Sequence, residues 1–376
     1  MSARSEERSD EPRSHERKAG TVNEVAIVGF AQAPCLPEAG TTGGVETLVP
    51  VFREALAAAG LDRRDVGFWC SGSSDYLAGR AFSFVNAVDA IGAFPPICES
   101  HVEMDAAWAL YEAYVKLLAG EAETALVYGF GKSSAGELRR VLALQLDPYT
   151  VAPLWPDSVS VAALQARLAL DAGLFDERDM ADVAVRSRLD ATANPYAQVF
   201  GTTTAEELLA GPYVSDPLRR HDCAPVSDGA AAVVLAAGDR ARELCERPAW
   251  ITGMAHRIDP PGLGERTLTS VPSAAAAAAA AGLGADLDVV ELHAPFTHQE
   301  LLLRAALGLG DEVRINPSGG ALCGNPMFSA GLSRIGSAAA EVMAGRARRA
   351  AGHATSGPAL QQNLVCVLEA DGSEVS

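Results

Sequence analysis

Two short apolar stretches decide the fold of this chain: VAIVG at residues 25–29 and AWITG at residues 249–253. Each stretch is predicted to be a strand, and each is followed by a helical pattern and then a second strand. The predicted helices cover residues 45–59 and 274–281, and the second strands cover residues 66–70 and 287–292. This repetition predicts two similar halves packed together, with largely parallel sheets covered on both faces.

The remaining elements complete the two halves. A loop followed by a long helix is predicted at residues 99–120 and again at residues 316–345, and apolar strands are predicted at residues 124–128, 230–235 and 364–368. The first half is assigned to residues 23–245, with an insertion of helices and loops at about 136–217, and the second half to residues 246–376. Insertions of this length often serve as a lid or an oligomer contact. Residues 1–22 are rich in charged and polar side chains, which predicts a disordered tail.

Composition restricts the class of protein. A chain of 376 residues with 48% hydrophobic content can bury a large core, and its net charge of -18 disfavours binding to nucleic acid or to an anionic membrane. No apolar run approaches the roughly 20 residues of a membrane span, so a cytoplasmic protein is expected. The seven cysteines are scattered without a CxxC pair. This arrangement favours reduced thiols and predicts no metal site.

Several short motifs carry a resemblance to a known family. They are NPYAQ at 194–198, SDPL at 215–218, DC at 222–223, SDGAAAVVL at 227–235, ELHAPF at 291–296, NPSGGALCGNPMF at 316–328 and ALQQN at 359–363. In this order they resemble motifs of the thiolases of the sterol-carrier or lipid-transfer type. The similarity extends from about residue 25 to the C-terminus.

The resemblance implies an α/β fold, the duplicated five-layered αβαβα thiolase fold, with the helical insertion in the first half. It also implies a dimer or tetramer and a CoA thioester as ligand. CoA is then part of the substrate, and no other cofactor is expected.

A thiolase of this type uses a cysteine at the start of a buried helix, where the helix dipole lowers the pKa of the thiol. Counting back without gaps from residues 119–122 places Glu103 at that position, whereas matching the local Val-Glu places Ala106 there. Neither residue is a cysteine. Cys98 and Cys323 lie nearby in sequence, but a buried structural role is favoured for both.

The family's catalytic histidine loop is also changed. Asn325 stands between Gly324 and Pro326, where the family has a histidine that helps to activate the cysteine and donates to the thioester oxygen. An amide can donate to an oxyanion, but it cannot take up a proton near neutral pH. The ELHAPF motif keeps His293 and lacks the family's acid–base cysteine. Thiolysis and Claisen condensation are therefore not expected.

Retro-aldol cleavage of a β-hydroxyacyl-CoA needs a base and hydrogen-bond donors, but no covalent intermediate. The predicted catalytic residues are His293 as the base, Asn325 as a donor and Glu103 as a further carboxylate, with Asp105 a weaker candidate. Alternatively, His293 satisfies buried backbone carbonyls and Glu103 caps the following helix.

Four residues are predicted to bind the substrate: Gly324, His298, Trp108 and Phe328. The two aromatic side chains suit an apolar steroid pocket, although core packing explains them equally well. His298 is equally compatible with an exposed position at a helix start. His101 and His353 are predicted to lie in loops and are less favoured candidates for the site.

The resemblance extends to a cysteine-less branch that is associated with steroid side-chain aldolases. Members of that branch tend to work with a small OB-fold partner of the DUF35 kind, and sometimes with a second thiolase-like chain. A lyase acting on a sterol side-chain acyl-CoA is therefore expected. The alternatives are a non-catalytic thiolase-fold partner subunit in such a complex and, third, a working acyl-CoA acyltransferase.

Overall fold

The computed structural model describes residues 24–75 and 82–370. The tail predicted at residues 1–22 lies outside the described residues. None of the described helices is both long enough and apolar enough to cross a bilayer.

The elements follow one another along the chain in the order of their numbers. The first half begins with β1 (Val25–Gln32), α1 (Gly44–Ala58), β2 (Phe68–Gly72), α2 (Ser83–Ile91), β3 (Glu99–Val102), α3 (Ala106–Leu118) and β4 (Thr124–Lys132). The insertion holds α4 (Leu138–Ala143), α5 (Ser158–Asp171), α6 (Glu177–Asp190), α7 (Ala205–Leu209) and the small hairpin of β5 (Tyr213–Ser215) and β6 (Leu218–Arg219). The first half then closes with β7 (Asp228–Ala237) and α8 (Gly238–Leu244). The second half holds β8 (Ala249–Ile258), α9 (Pro272–Ala280), β9 (Val289–Glu291), α10 (Thr297–Leu307), β10 (Arg314–Ile315), α11 (Ala330–Met343), β11 (Arg349–Ser356) and β12 (Gln362–Glu369).

The strands of both halves form one sheet in the order β10-β9-β11-β12-β8-β1-β7-β4-β2-β3. Read outward from the centre, the first half gives β1-β7-β4-β2-β3 and the second gives β8-β12-β11-β9-β10, which is the same order with corresponding strands. The halves meet where β1 pairs antiparallel with β8, through Ala26 opposite Trp250 and Ile27 opposite Ala249. The predicted duplication is confirmed.

The prediction of largely parallel sheets is wrong. Among the described strands, two pairs in each half are parallel, β2 with β3 and β4 in the first half and β9 with β10 and β11 in the second. The pairs made by β7 and β12 are antiparallel. Parallel strands need a long crossover, whereas β12 follows β11 after a short turn and therefore runs back beside it.

Alternating side chains of the strands explain the layers. In β7, Val233 and Leu235 pack with α3 and α11, whereas Val234 and Ala236 pack with α1 on the other face. In the second half α9 packs on the face of β12 that carries Val365. The helices α3 and α11 thus form the central layer, with α1 and α9 in the outer layers.

A helix follows a loop in each of the two predicted segments, and the first segment also contains a strand that was not predicted. Residues 99–102 form the strand β3, and α3 begins only at Ala106. Residues 316–329 form a loop before α11, and this loop lies directly on β4. A Cβ atom on Gly129 would lie 2.3 Å from the carbonyl oxygen of Phe328, and one on Gly131 would lie 2.3 Å from that of Met327. The loop is therefore fixed by close backbone contact across the fold.

Candidate active site

A cavity of about 430 Å³ lies where the start of α3, the loop 316–329 and the turn after β11 come together. Much of its wall comes from the insertion, through the apolar side chains of Leu138, Leu142, Leu146, Val159 and Ala162. The polar groups that line it include Asp105, Ser133, Cys223, His293 and Asn325. The insertion therefore encloses the site rather than extending away from it.

His293 and Asn325 are hydrogen-bonded to each other inside the cavity. His293 follows the end of β9, and its Nε2 lies 3.0 Å from Oδ1 of Asn325. The backbone N–H of Thr355, in β11, donates to Nδ1 of His293 at 3.4 Å. Because Nδ1 accepts, Nε2 carries the proton and donates to Asn325. The bond turns the Asn325 side chain so that its amide N–H groups face away from the histidine.

Burial, together with the nearby Arg334 guanidinium, lowers the pKa of His293 to about 4, and the bond to Asn325 acts in the opposite direction. The imidazole is therefore neutral at pH 7, and Thr355 occupies its lone pair. A general base needs a free lone pair. The geometry therefore favours a role for His293 in orienting Asn325 over the expected role as the base.

The start of α3 at the cavity, here called the helix mouth, holds a different carboxylate from the one expected. The residue that caps α3 is Asp105, whose side chain accepts a hydrogen bond from the backbone N–H of Ala107. Glu103 lies outside the cavity lining, with a side chain 59% exposed and 3.4 Å from Nε2 of His101. Neither the catalytic nor the capping prediction for Glu103 agrees with this position. The short aspartate side chain suits the N-cap, and Glu103 is left on the preceding turn.

Asp105 joins the starts of both central helices. Its Oδ1 accepts from the N–H groups of Ala107 at 2.9 Å and Leu332 at 3.1 Å, and its Oδ2 accepts from that of Gly331 at 2.9 Å. Burial raises the pKa of the Asp105 carboxyl, and the three N–H donors and Arg334 act in the opposite direction. Its position before a helical run signals a cap, but the contacts with α11 are not visible in the local sequence.

None of the thiols of the described chain lies at the helix mouth. Cys98 is exposed, so the buried role expected for it is wrong, whereas Cys323 is buried with its Sγ 3.3 Å from the carbonyl oxygen of Ser187. Neither lines the cavity. Cys223, which the sequence analysis gave as part of the DC motif and not as a site residue, does line it. Burial raises the pKa of Cys223 to about 12, and its Sγ lies 3.5 Å from the carbonyl oxygen of Arg219, so a reactive thiolate is not favoured.

Only one of the four predicted substrate-binding residues, Phe328, lines the cavity. Trp108 is buried in the central layer. Gly324 packs against Cys35, because a Cβ atom there would lie 2.7 Å from its Sγ. The predicted contacts of Trp108 and Gly324 with the substrate do not agree with these positions.

Two further predicted candidates, His298 and His353, are buried in the core and do not line the cavity. His298, the fourth predicted substrate-binding residue, is fully buried at the start of α10, 3.3 Å from Oε1 of Gln165, and burial lowers its pKa to about 3. It does not line the cavity. His101 and His353 lie in the strands β3 and β11, so their prediction as loop residues is wrong. Both strands are too short or too irregular in polarity to be recognised by alternation.

A buried ion pair holds the loop against α11. Nη1 of Arg334 lies 3.2 Å from Oε2 of Glu291 and 2.6 Å from Oγ of Ser318. The backbone N–H of Ser318 donates to the other oxygen of Glu291 at 2.9 Å. Arg334 is thus the buried cation that acts on both Asp105 and His293. Within residues 24–75 and 82–370, no group of three His, Cys, Asp or Glu side chains is arranged to hold a metal ion.

Similar proteins were found by sequence. An acetyl-CoA acetyltransferase of Methanothermobacter thermautotrophicus is 30% identical over 208 residues, 49% of this chain and 53% of the relative. Sterol carrier protein 2 of Gallus gallus is 30% identical over 213 residues, which are 49% of this chain and 39% of the relative. The 17-hydroxy-3-oxo-4-pregnene-20-carboxyl-CoA lyase of Mycobacterium tuberculosis is 33% identical over 111 residues, which are 28% of this chain and 29% of the relative. The chain therefore spans about half the length of these relatives or less. No protein-family model matches it.

Solved structures give a match over almost the whole chain. Human mitochondrial 3-ketoacyl-CoA thiolase superposes with a TM-score of 0.75 at 18% identity, over 93% of this chain and 100% of the thiolase. The fold is that of a thiolase. The Ltp2-ChsH2(DUF35) aldolase superposes with a TM-score of 0.77 at 20% identity, over 93% of this chain and 98% of the other. The predicted duplicated thiolase fold is confirmed, and the relatives support membership of the thiolase superfamily that includes sterol carrier protein 2.

Proposed function

We propose that this thiolase-fold chain is a lyase that cleaves a β-hydroxyacyl-CoA by a retro-aldol reaction. The observation that carries the proposal is the helix mouth, which offers the carboxylate of Asp105 and no thiol to the cavity. An acyl-enzyme needs a thiolate at that position. The similarity to a 17-hydroxy-3-oxo-4-pregnene-20-carboxyl-CoA lyase supports the same reaction class.

The reaction breaks the bond between Cα and Cβ, and the electron pair moves onto the thioester as an enolate. Donors aimed at the thioester oxygen stabilise that charge most effectively in a dry site. Asn325 supplies these donors through its amide N–H groups, and His293 fixes the orientation of the amide through the 3.0 Å bond. The protonation state of His293 suits this role, because the bond to Asn325 requires its Nε2–H.

The proposed substrate is a CoA ester with a bulky apolar acyl group, such as a sterol side chain. The leucine side chains of the insertion provide an apolar wall for that group. Two exposed arginines line the cavity, and Arg220, together with Arg139, which also pairs with Asp157 at 3.3 Å, provides positive charge for the CoA phosphates on a chain of net charge -18. The reaction needs no cofactor beyond the CoA of the substrate.

The proposed assembly is a dimer or tetramer with a DUF35 OB-fold protein, and with a second thiolase-like chain where the complex is heteromeric. The similarity in fold to the Ltp2-ChsH2(DUF35) aldolase supports this proposal. Copurification from the native host with identification of the bound chains by mass spectrometry tests it.

Asn325→Ala is expected to lower kcat by about 10²–10³-fold, because one oxyanion donor contributes about that much. The assay follows conversion of 17-hydroxy-3-oxo-4-pregnene-20-carboxyl-CoA to a steroid ketone and a shorter acyl-CoA by the reconstituted complex. Gln145→Ala is the matched control, since Gln145 is another amide that lines the cavity but is exposed. Equal activity of both variants and the wild type contradicts the assigned role.

A non-catalytic partner subunit is the second candidate. The occupied lone pair of His293 and the outward position of Glu103 favour it, because both reduce the number of groups that can move a proton. Unchanged turnover of a complex carrying His293→Ala, with assembly intact, is the result expected for a partner subunit. An acyltransferase is the third candidate, and covalent acyl labelling of the purified chain by a CoA thioester is the result that supports it.

A further inference from the structure

We propose that Asp105 is the catalytic residue that accepts the proton of the substrate's β-hydroxyl group. This inference rests on the proposed lyase function and identifies the base that the reaction requires.

The carboxylate is held in one orientation and keeps one acceptor site free. Three backbone N–H groups, those of Ala107, Gly331 and Leu332, bond to it at 2.9–3.1 Å. A carboxylate offers about four lone-pair directions, so one remains, on Oδ2. The residue is only 4% exposed and lines the cavity. A ligand in the cavity can therefore meet the carboxylate without water between them.

The surroundings leave room for the carboxylate in this position. A Cβ atom on Gly331 would lie 2.6 Å from Oδ1 of Asp105, so the absence of a side chain there admits the contact with α11. A Cβ atom on Gly72 would lie 2.5 Å from the backbone nitrogen of Ala106. Glycine at both positions allows the start of α3 to sit tightly against β2 and α11.

A second group in the same cavity also points to a ligand. Ser133 lines the cavity and is 2% exposed, and its Oγ has no hydrogen-bond partner among the described residues. A buried hydroxyl without a partner is costly, so a polar group of a bound molecule is expected to complete it. The cavity thus offers a polar ligand one unsatisfied hydroxyl and one carboxylate.

The other candidate bases are less suitable. Thr355 occupies the lone pair of His293, and Glu103 does not line the cavity. Burial raises the pKa of Cys223 to about 12, and Asn325 has no basic site. For Asp105, by contrast, burial raises the pKa, which increases its affinity for a proton, and the charge still has three N–H donors when the proton is absent.

The proposed step balances in atoms and charge. Asp105 takes the hydroxyl proton, the Cβ–O bond becomes a carbonyl, and the Cα–Cβ bond breaks. Its electron pair forms the thioester enolate that Asn325 stabilises. The protonated Asp105 then returns the proton to Cα, which gives the shorter acyl-CoA and restores the carboxylate. The cavity holds one negative charge throughout, so no additional charge has to be desolvated.

Asp105→Asn and Asp105→Ser test this role in the reconstituted complex. Serine is a good N-cap residue, so Asp105→Ser retains an acceptor for α3 if the asparagine variant folds poorly. Binding of 3-oxo-4-pregnene-20-carboxyl-CoA, which lacks the hydroxyl, is measured by calorimetry beside turnover of the hydroxylated thioester. Asp259→Asn is the control, because Asp259 accepts from the backbone N–H of Ser273 at the start of α9 and does not line the cavity.

We expect kcat to fall by about 10²–10⁴-fold in both Asp105 variants, the usual contribution of a general base. Binding of the deoxy analogue is expected to stay within about threefold, and formate is expected to restore part of the turnover of Asp105→Ser. Turnover within about tenfold of the wild type, or loss of analogue binding together with turnover, overturns the inference. If the wild-type complex and the Asp105 variants all release the ketone, only the role of Asp105 is overturned. If the wild-type complex releases no ketone, the proposed function is overturned as well.

Discussion

Arg334→Met is expected to lower the free energy of unfolding by about 3–5 kcal/mol, which is the usual cost of leaving one partner of a buried ion pair alone. The side chains of Arg334 and Glu291 are 5% and 1% exposed. Methionine cannot balance the Glu291 carboxylate, and Ser318 provides only neutral donors to it. Urea denaturation followed by circular dichroism measures the loss.

The matched control is Arg304→Met, because Arg304 pairs with Asp311, whose side chain is fully exposed, at 3.2 Å. Its cost is expected to stay below about 1 kcal/mol. The double variant Arg334→Met with Glu291→Gln is expected to be more stable than Arg334→Met alone, since the uncompensated charge is gone. A loss below about 1 kcal/mol for Arg334→Met contradicts a structural role for the pair.

Acid is expected to destabilise the fold strongly between pH 6.5 and pH 4. Burial lowers the pKa of His293 to about 4, and those of His298 and His353 to about 3, from an ordinary value of 6.5. Below pH 6.5 the unfolded chain binds protons at these positions and the native protein does not. Stability is therefore lost as pH falls through this window, by on the order of 10 kcal/mol for the three groups together.

Two buried carboxyls act in the opposite direction. Burial raises the pKa values of Asp105 and Glu291, so the cost of keeping them charged is removed as pH falls. The slope of the unfolding free energy against pH is therefore expected to be smaller than the slope that the three histidines alone would produce.

His298→Gln isolates one histidine, because glutamine can still donate to Gln165 and does not titrate. It is expected to reduce the slope between pH 6.5 and pH 4 by about 1.4 kcal/mol per pH unit. Its difference from the wild type at pH 8 serves as the control, since both side chains are then neutral. An unchanged slope contradicts the assignment.

The sequence predicted the fold class and the duplication because both depend on local patterns. Apolar strands such as VAIVG and the alternation of strands with helices are visible in a single chain. The direction of β7 and β12 was not predicted, because it depends on which strand each one returns to. The strand β3 was not predicted within residues 99–120, since it depends on its pairing with β2, and the close contact of the loop 316–329 with β4 is not visible in the local sequence.

The candidate site was predicted in part. The resemblance to thiolase motifs identified His293 and Asn325 as candidates, and in the structure Nε2 of His293 lies 3.0 Å from Oδ1 of Asn325. Asp105 was underestimated, because its main contacts are with Gly331 and Leu332, more than two hundred positions away in the chain. Cys223 was quoted only within the DC motif and was not predicted as a site residue, because its place in the cavity wall depends on its bridge pairing with Phe296, far along the chain.

The antiparallel seam between β1 and β8 has a consequence for dissection of the chain. Each half presents its innermost strand to the other, and the backbone groups of Ala26 and Trp250 complete the ladder only when both halves are present. Either half produced by itself exposes a long, apolar edge strand with unpaired backbone N–H and C=O groups, which can pair with strands of other chains. Fragments cut at the midpoint are therefore expected to aggregate.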